Sequence, residues 1–118
     1  MSDGNAENTI DKARIIVVDD QAAHAEILSD ALESVGHQCQ VATTIDEARD
    51  LLRKNGADIV VTDLVLGDRD GLDLIREAQA IDPFIAVVVV TGHGTVETAV
   101  EAMQLGAVDY LRKPVDLA

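Results

Sequence analysis

Three carboxylates, a hydroxyl and an ammonium group fall at the ends of apolar runs in this 118-residue chain. Asp19 and Asp20 close Ile15-Ile16-Val17-Val18, Asp63 closes Ile59-Val60-Val61-Thr62, Thr91 closes the run 86–90, and Lys113 follows Tyr110-Leu111-Arg112. In an open parallel sheet, ligands bind beyond the carboxyl ends of the strands where strand order reverses, so residues at those positions converge. Ionised together, Asp19, Asp20 and Asp63 carry −3 while Lys113 returns +1, and this crowding predicts that at least one carboxyl pKa is raised. A divalent cation brings the cluster to neutrality. Mg²⁺ suits hard carboxylate oxygens and keeps waters, which leaves room for a phosphate oxygen. A carboxylate so placed can attack phosphorus and form an aspartyl phosphate, with cation and ammonium neutralising the equatorial oxygens and the Thr91 hydroxyl donating to one of them. Any one aspartate here is also explained as a strand end or a helix cap. The five positions together are not.

These groups need elements to hold them. The β-branched run 14–18 reads as a central strand buried on both faces, followed by a helix whose apolar residues Ile27, Leu28, Ala31, Leu32 and Val35 recur at helical spacing until Gly36. A weaker strand over 37–42 precedes a helix opened by a capping box, Thr44 with Glu47, with Ile45, Ala48, Leu51 and Leu52 on one face before Asn55-Gly56. Ile59–Thr62 is the third strand; a loop rich in Gly and Asp leads to a helix over 72–80 that Asp82-Pro83 ends. The fourth strand spans 85–90, Val96, Ala99, Val100 and Met103 form a helical stripe closed by Gly106, and 108–111 is the last strand. Five such alternations predict an α/β fold, a five-stranded doubly wound parallel sheet. Too few residues follow Pro114 for a last helix, so that helix is expected to be missing or truncated and the chain to be part of a longer protein, with residues 1–12 a flexible leader and 13–118 one domain.

Composition narrows the function classes. Lys plus Arg number 9 against 22 Asp plus Glu, a net charge of −13, which argues against direct contact with nucleic acid or anionic lipid. The single cysteine, Cys39, alternates with polar residues and reads as a core thiol; His24, His37 and His93 lack metal-ligand spacing. Without an apolar run of membrane-spanning length or a signal-like start, a cytoplasmic location is expected.

Val17-Val18-Asp19-Asp20, Val61-Thr62-Asp63 with Asp70-Gly71-Leu72, Thr91-Gly92 and Tyr110-Leu111-Arg112-Lys113-Pro114 together resemble the receiver domain of bacterial two-component response regulators, over about residues 13–115. The resemblance implies a flavodoxin-like strand order 2-1-3-4-5. It makes Asp63 the phosphoacceptor for a sensor histidine kinase, with Mg²⁺ held by Asp20 and Asp63 directly, by Asp19 through water and by the Val65 carbonyl. Lys113 and Thr91 would then bind the phosphoryl group, and Lys113-Pro114 would be a cis peptide. The stretch from His93-Gly94 to Met103, with Gly106-Ala107 and Asp109-Tyr110-Leu111, is most similar to receivers of nitrogen-regulation-type activators that work with the alternative sigma factor, which implies an ATPase domain and a DNA-binding domain as output.

By the same resemblance Thr91 and Tyr110 form a conformational switch, Val65 and His93 flank the path of hydrolytic water and tune phosphoryl lifetime, and the fourth helix with the last strand is a homodimer surface. An apolar Val65 does not orient water, so slow hydrolysis is expected. Where the family often has Met-Pro after the acceptor, this chain has Leu66-Gly67, and a more mobile loop is expected. A phosphohydrolase with an aspartyl nucleophile fits poorly, because such families place a second Asp two residues after the first and here Asp19-Asp20 are adjacent. A nucleotide or flavin carrier needs a Gly-rich or hydroxyl-rich loop where this chain is acidic. A receiver that only binds partners keeps the fold without the chemistry and is the remaining alternative.

Overall fold

The computed structural model describes residues 12–114. All of the expected leader except Lys12 lies outside them, as do residues 115–118. In chain order the elements are β1 (Arg14–Val18), α1 (Ala22–Ser34), β2 (Gln38–Ala42), α2 (Ile45–Asn55), β3 (Ile59–Thr62), β4 (Val65–Leu66), β5 (Arg69–Asp70), α3 (Gly71–Ile81), β6 (Ala86–Thr91), α4 (Val96–Gln104) and β7 (Asp109–Arg112). The main sheet runs β2-β1-β3-β6-β7, all parallel, which is the expected 2-1-3-4-5 order once the small β4-β5 pair is set aside. Register places Val18 beside Thr62 and Thr62 beside Val89, so Asp19 and Asp63 finish level with each other and Thr91 stands one residue further along its strand. Among the described residues no helix is long and apolar enough to cross a membrane.

The loop expected after β3 is a hairpin. Val65 pairs with Asp70 and Leu66 with Arg69, antiparallel, across Gly67-Asp68. Gly67 has φ 67° while Asp68 is not in the positive region, the pattern of a type II′ turn with glycine in its first loop position. Two-residue strands carry no periodicity, so the run of turn residues concealed them.

Helix α2 starts where expected, with Thr44 Oγ1 accepting the Glu47 N–H at 3.1 Å. The reciprocal half of the box is displaced. Glu47 Oε1 accepts from Thr43 N–H and Thr43 Oγ1, both at 2.8 Å, and these bonds hold its carboxyl below the usual range. Asp46 and Glu47 in the first turn and Arg53 and Lys54 in the last complement the helix dipole.

Side chains alternate across the strands, and the two faces of the sheet are covered unequally. Ile16, Val18, Val60, Val87 and Val89 face α2, α3 and α4, packed with Leu52, Leu74, Ile75, Ala78 and Ala102 in one buried cluster. On the other face Ile15 and Val17 pack with Ala25 of α1, while Leu28, Leu32, Cys39, Ile59 and Val61 are only half-buried. Beside α1 lies a cavity of about 470 Å³ lined by Val17, Leu28, Val61, Val90 and Pro114 among others. The described residues contain four helices and none follows β7, in line with the expected missing last helix.

Two helical stripes differ from expectation. In α4 the large residues Val96, Val100 and Met103 face solvent, and the buried residue is Ala102. In α1 the buried residues are Ala25 and Ser29, while Ile27 and Val35 are exposed. In both, small residues let the helix lie close to the sheet, so reading the largest aliphatics as the inward face rotates it. Cys39 is half-buried, and burial pushes its thiol up, as suits an unreactive core thiol.

Candidate functional site

The alternation that sorts the core also sorts the site. Asp19 continues the row of Ile15 and Val17, and Asp63 that of Ile59 and Val61, both on the face of α1. Thr91 continues Val87 and Val89 on the opposite face. All three are buried. Lys113 Nζ donates to Asp19 Oδ2 at 2.6 Å and to Asp63 Oδ2 at 2.9 Å, joining the first strand to the last. Thr91 Oγ1 donates to the other Asp63 oxygen, Oδ1, at 2.6 Å and accepts the His93 N–H at 3.1 Å. Lys113 is placed by its own N–H, which bonds the Thr91 carbonyl at 2.9 Å, and the following Lys113-Pro114 peptide is cis, as the resemblance implied.

The charge balance at Asp63 reverses the crowding argument made from sequence. Burial is the strongest influence and pushes its carboxyl up, but the Thr91 hydroxyl, the Lys113 ammonium and the Val65 N–H together outweigh burial, so the carboxyl lies below its usual value. Burial likewise pushes the Lys113 ammonium down, and bonding to Asp19 and Asp63 more than restores it, leaving it above its usual value. The expected upward shift therefore does not occur at Asp63, because the Thr91 hydroxyl and the Lys113 ammonium both bond its carboxylate.

Asp20 is set apart. It is exposed, and its Oδ2 accepts the Gly67 N–H at 3.1 Å. Among the described residues no three His, Cys, Asp or Glu side chains are gathered as they would be around a metal ion. Val65 is exposed in the hairpin, with its N–H 3.3 Å from Asp63 Oδ1. His93 is exposed beside Thr91. Tyr110 is half-buried against the core of the opposite face, its hydroxyl 3.0 Å from Thr98 Oγ1.

Four residues of this region escaped the sequence reading as site groups. His24, in the first turns of α1, has Nδ1 4.0 Å from Asp19 Oδ2. Gly67 supplies the donor to Asp20. A Cβ on Gly71 would stand 2.1 Å from the Asp63 carbonyl oxygen, so only glycine lets α3 begin against the backbone of Asp63. A Cβ on Gly94 would stand 1.8 Å from the Tyr110 hydroxyl, so this glycine makes room for the ring. The glycines were visible as motif letters, but the surfaces they admit are set by distant segments.

A family model described as response regulator receiver domain matches residues 15–118. The chain belongs to that family. The receiver is similar to the transcriptional regulatory protein ZraR of Escherichia coli K12, 38% identical over 108 residues, covering 92% of this chain and 24% of ZraR. It is also similar to the alginate biosynthesis transcriptional regulatory protein AlgB of Pseudomonas aeruginosa, 41% identical over 109 residues, again covering 92% of this chain and 24% of that one. The receiver thus spans about a quarter of the length of these relatives. Among solved structures it resembles a Burkholderia pseudomallei response regulator with a phosphorylated aspartic acid, a calcium ion and citrate, at a TM-score of 0.85 and 34% identity, covering 91% of this chain and 62% of that one.

Proposed function

We propose that this receiver is a Mg²⁺-dependent phosphoacceptor switch, taking a phosphoryl group from the phosphohistidine of a sensor kinase onto Asp63 and changing its surface to control an output domain. The observation that carries this reading is the pair of donors on Asp63: Lys113 on Oδ2 and Thr91 on Oδ1. They hold the carboxylate ionised and buried, and both lie within reach of oxygens on a phosphorus bonded there. In the step itself an Asp63 oxygen forms the P–O bond as the P–N bond to imidazole breaks. The imidazole leaves with that electron pair and takes a proton from solvent.

The donor set fits a divalent ion by its chemistry: three carboxylates against one ammonium leave two negative charges, and the exposed Asp20 has no ion-pair partner among the described residues. Asp20, Asp63 and the Val65 carbonyl would hold it, with Asp19 through water; when bound it supplies charge neutralisation for the transferring group. Thr91 then exchanges its bond to Asp63 for one to the phosphoryl group. Because Thr91 lies on the face that packs Tyr110 and α4, that exchange is the route by which the surface changes.

Exposed Val96, Val100 and Met103 on α4, with Leu111 on β7, support a homodimer surface there. The output of the parent regulator is an ATPase plus a DNA-binding domain in this reading, acting in the cytoplasm, and Val65 and His93 tune the lifetime of the phosphoryl group.

Incubation with acetyl phosphate and Mg²⁺, followed by intact mass, tests the reading. A single phosphoryl adduct is expected on the wild type, absent with chelator and absent from Asp63→Asn. Over time Val65→Asn should lose its adduct faster, and size-exclusion chromatography should show dimer in the phosphorylated sample. A folded wild type that takes no adduct leaves a receiver that only binds partners.

A further inference from the structure

We infer that the backbone N–H of Gly67 is a latch on Asp20, which Asp20 must leave in order to join Asp63 around a divalent cation. This rests on the phosphoacceptor reading above. Asp19 and Asp63 are buried and each is held by Lys113 and by further donors. Asp20 has one donor among the described residues, Gly67, at 3.1 Å. Its place in the chain explains why. The ladder runs on to Asp19, whose N–H bonds the Ala42 carbonyl, and to Asp63, whose N–H bonds the Val18 carbonyl, whereas Asp20 lies past the end of β1 in the bend before α1. There its carboxylate meets the hairpin.

The hairpin that carries Gly67 is anchored independently of Asp20. Arg69 of β5 pairs with Glu77 of α3 at 3.2 Å and with Asp46 of α2 at 3.7 Å, and Arg49 of α2 bonds Glu77 and Asp46 at 2.9 Å each. The Gly71 N–H on the Leu64 carbonyl at 2.7 Å closes its base. The donor is therefore held in place by a charged network between two helices, and turning Asp20 costs the bond. Residue 67 is suited to the role by its backbone. Its φ of 67° favours glycine, and a Cβ there would meet nothing within 4 Å, so conformation rather than space selects the residue. A proline at this position would have neither that φ nor an N–H.

The consequence is competition: the hairpin and the cation draw Asp20 in different directions, so loading the ion releases the Gly67 N–H. The test uses the unphosphorylated, ¹⁵N-labelled protein titrated with Mg²⁺ and followed by amide shifts and hydrogen exchange. Saturation should shift the Gly67 amide upfield and speed its exchange about threefold to tenfold, the size expected for the loss of one exposed hydrogen bond to a carboxylate. A Gly67 amide equally or better protected with Mg²⁺ overturns the latch. A wild type that binds no Mg²⁺ overturns the phosphoacceptor reading itself, which separates the two failures.

Discussion

The two faces of one sheet are built to different standards. On the face of α2, α3 and α4, Ile75, Ala78, Val87 and Val89 are fully enclosed, whereas on the face of α1 the strand residues Val61 and Val88 remain half-buried and Ile27 is 68% exposed. The ion cluster of Asp19, Asp63 and Lys113 sits at the rim of the open face, and the groups that would register a change, Thr91 and Tyr110, belong to the closed one. Two bonds join them, Thr91 Oγ1 to Asp63 Oδ1 and the Lys113 N–H to the Thr91 carbonyl. Chemistry needs access and a change of shape needs tight packing, and the fold keeps the two on opposite sides of a layer one residue thick.

That contrast can be broken by truncation. Ile75→Ala on the closed face should cost about 3 to 4 kcal/mol, since the site is enclosed and cannot collapse. Ile27→Ala, the same loss of atoms on the open face, should change stability by no more than about 0.5 kcal/mol. Urea unfolding of both variants measures the difference, and equal costs would mean the faces are not unequal in energy. Gly94→Ala sharpens the contrast at the edge of the closed face. Its new methyl meets the Tyr110 hydroxyl, so the ring must turn out, at about 1 to 2 kcal/mol. Tyr110 is the sole tyrosine, so its emission and ring resonances report the movement directly.

The smallest effect concerns the rim. Because the Asp63 carboxyl is held below its usual value, its contribution is complete above about pH 4 and is lost as pH falls through the lowered value. Lys113, raised, contributes below about pH 10 and loses its share as pH climbs through the raised value. Thermal unfolding should therefore show a flatter acid limb for Asp63→Asn than for the wild type, with an alkaline limb still present through Lys113 and Asp19.

What could be read from sequence follows the same divide. Apolar β-branched runs located the central strands, Ile59–Thr62 to the residue and the fourth displaced by one, to Ala86–Thr91, and the last strand is likewise displaced by one, to Asp109–Arg112. That Asp19, Asp63, Thr91 and Lys113 come together was legible because each stands at or just past a strand end. What was not legible depends on distances between segments: which side of α4 faces inward, that Glu47 reaches Thr43, that the 64–70 segment pairs with itself, and that Thr91 and Lys113 both bond Asp63 and so reverse the expected shift there. His24 escaped for the same reason, since one histidine with no spaced partner carries no signal until α1 is docked.

Lys113 and Asp19 are 94 positions apart, and their bond ties the first strand to the last. A chain emerging from a ribosome holds all three carboxylates long before it holds the ammonium that bonds two of them. The closed Asp19–Lys113–Asp63 bridge therefore also reports that the strand leading to Lys113 has been made and has docked.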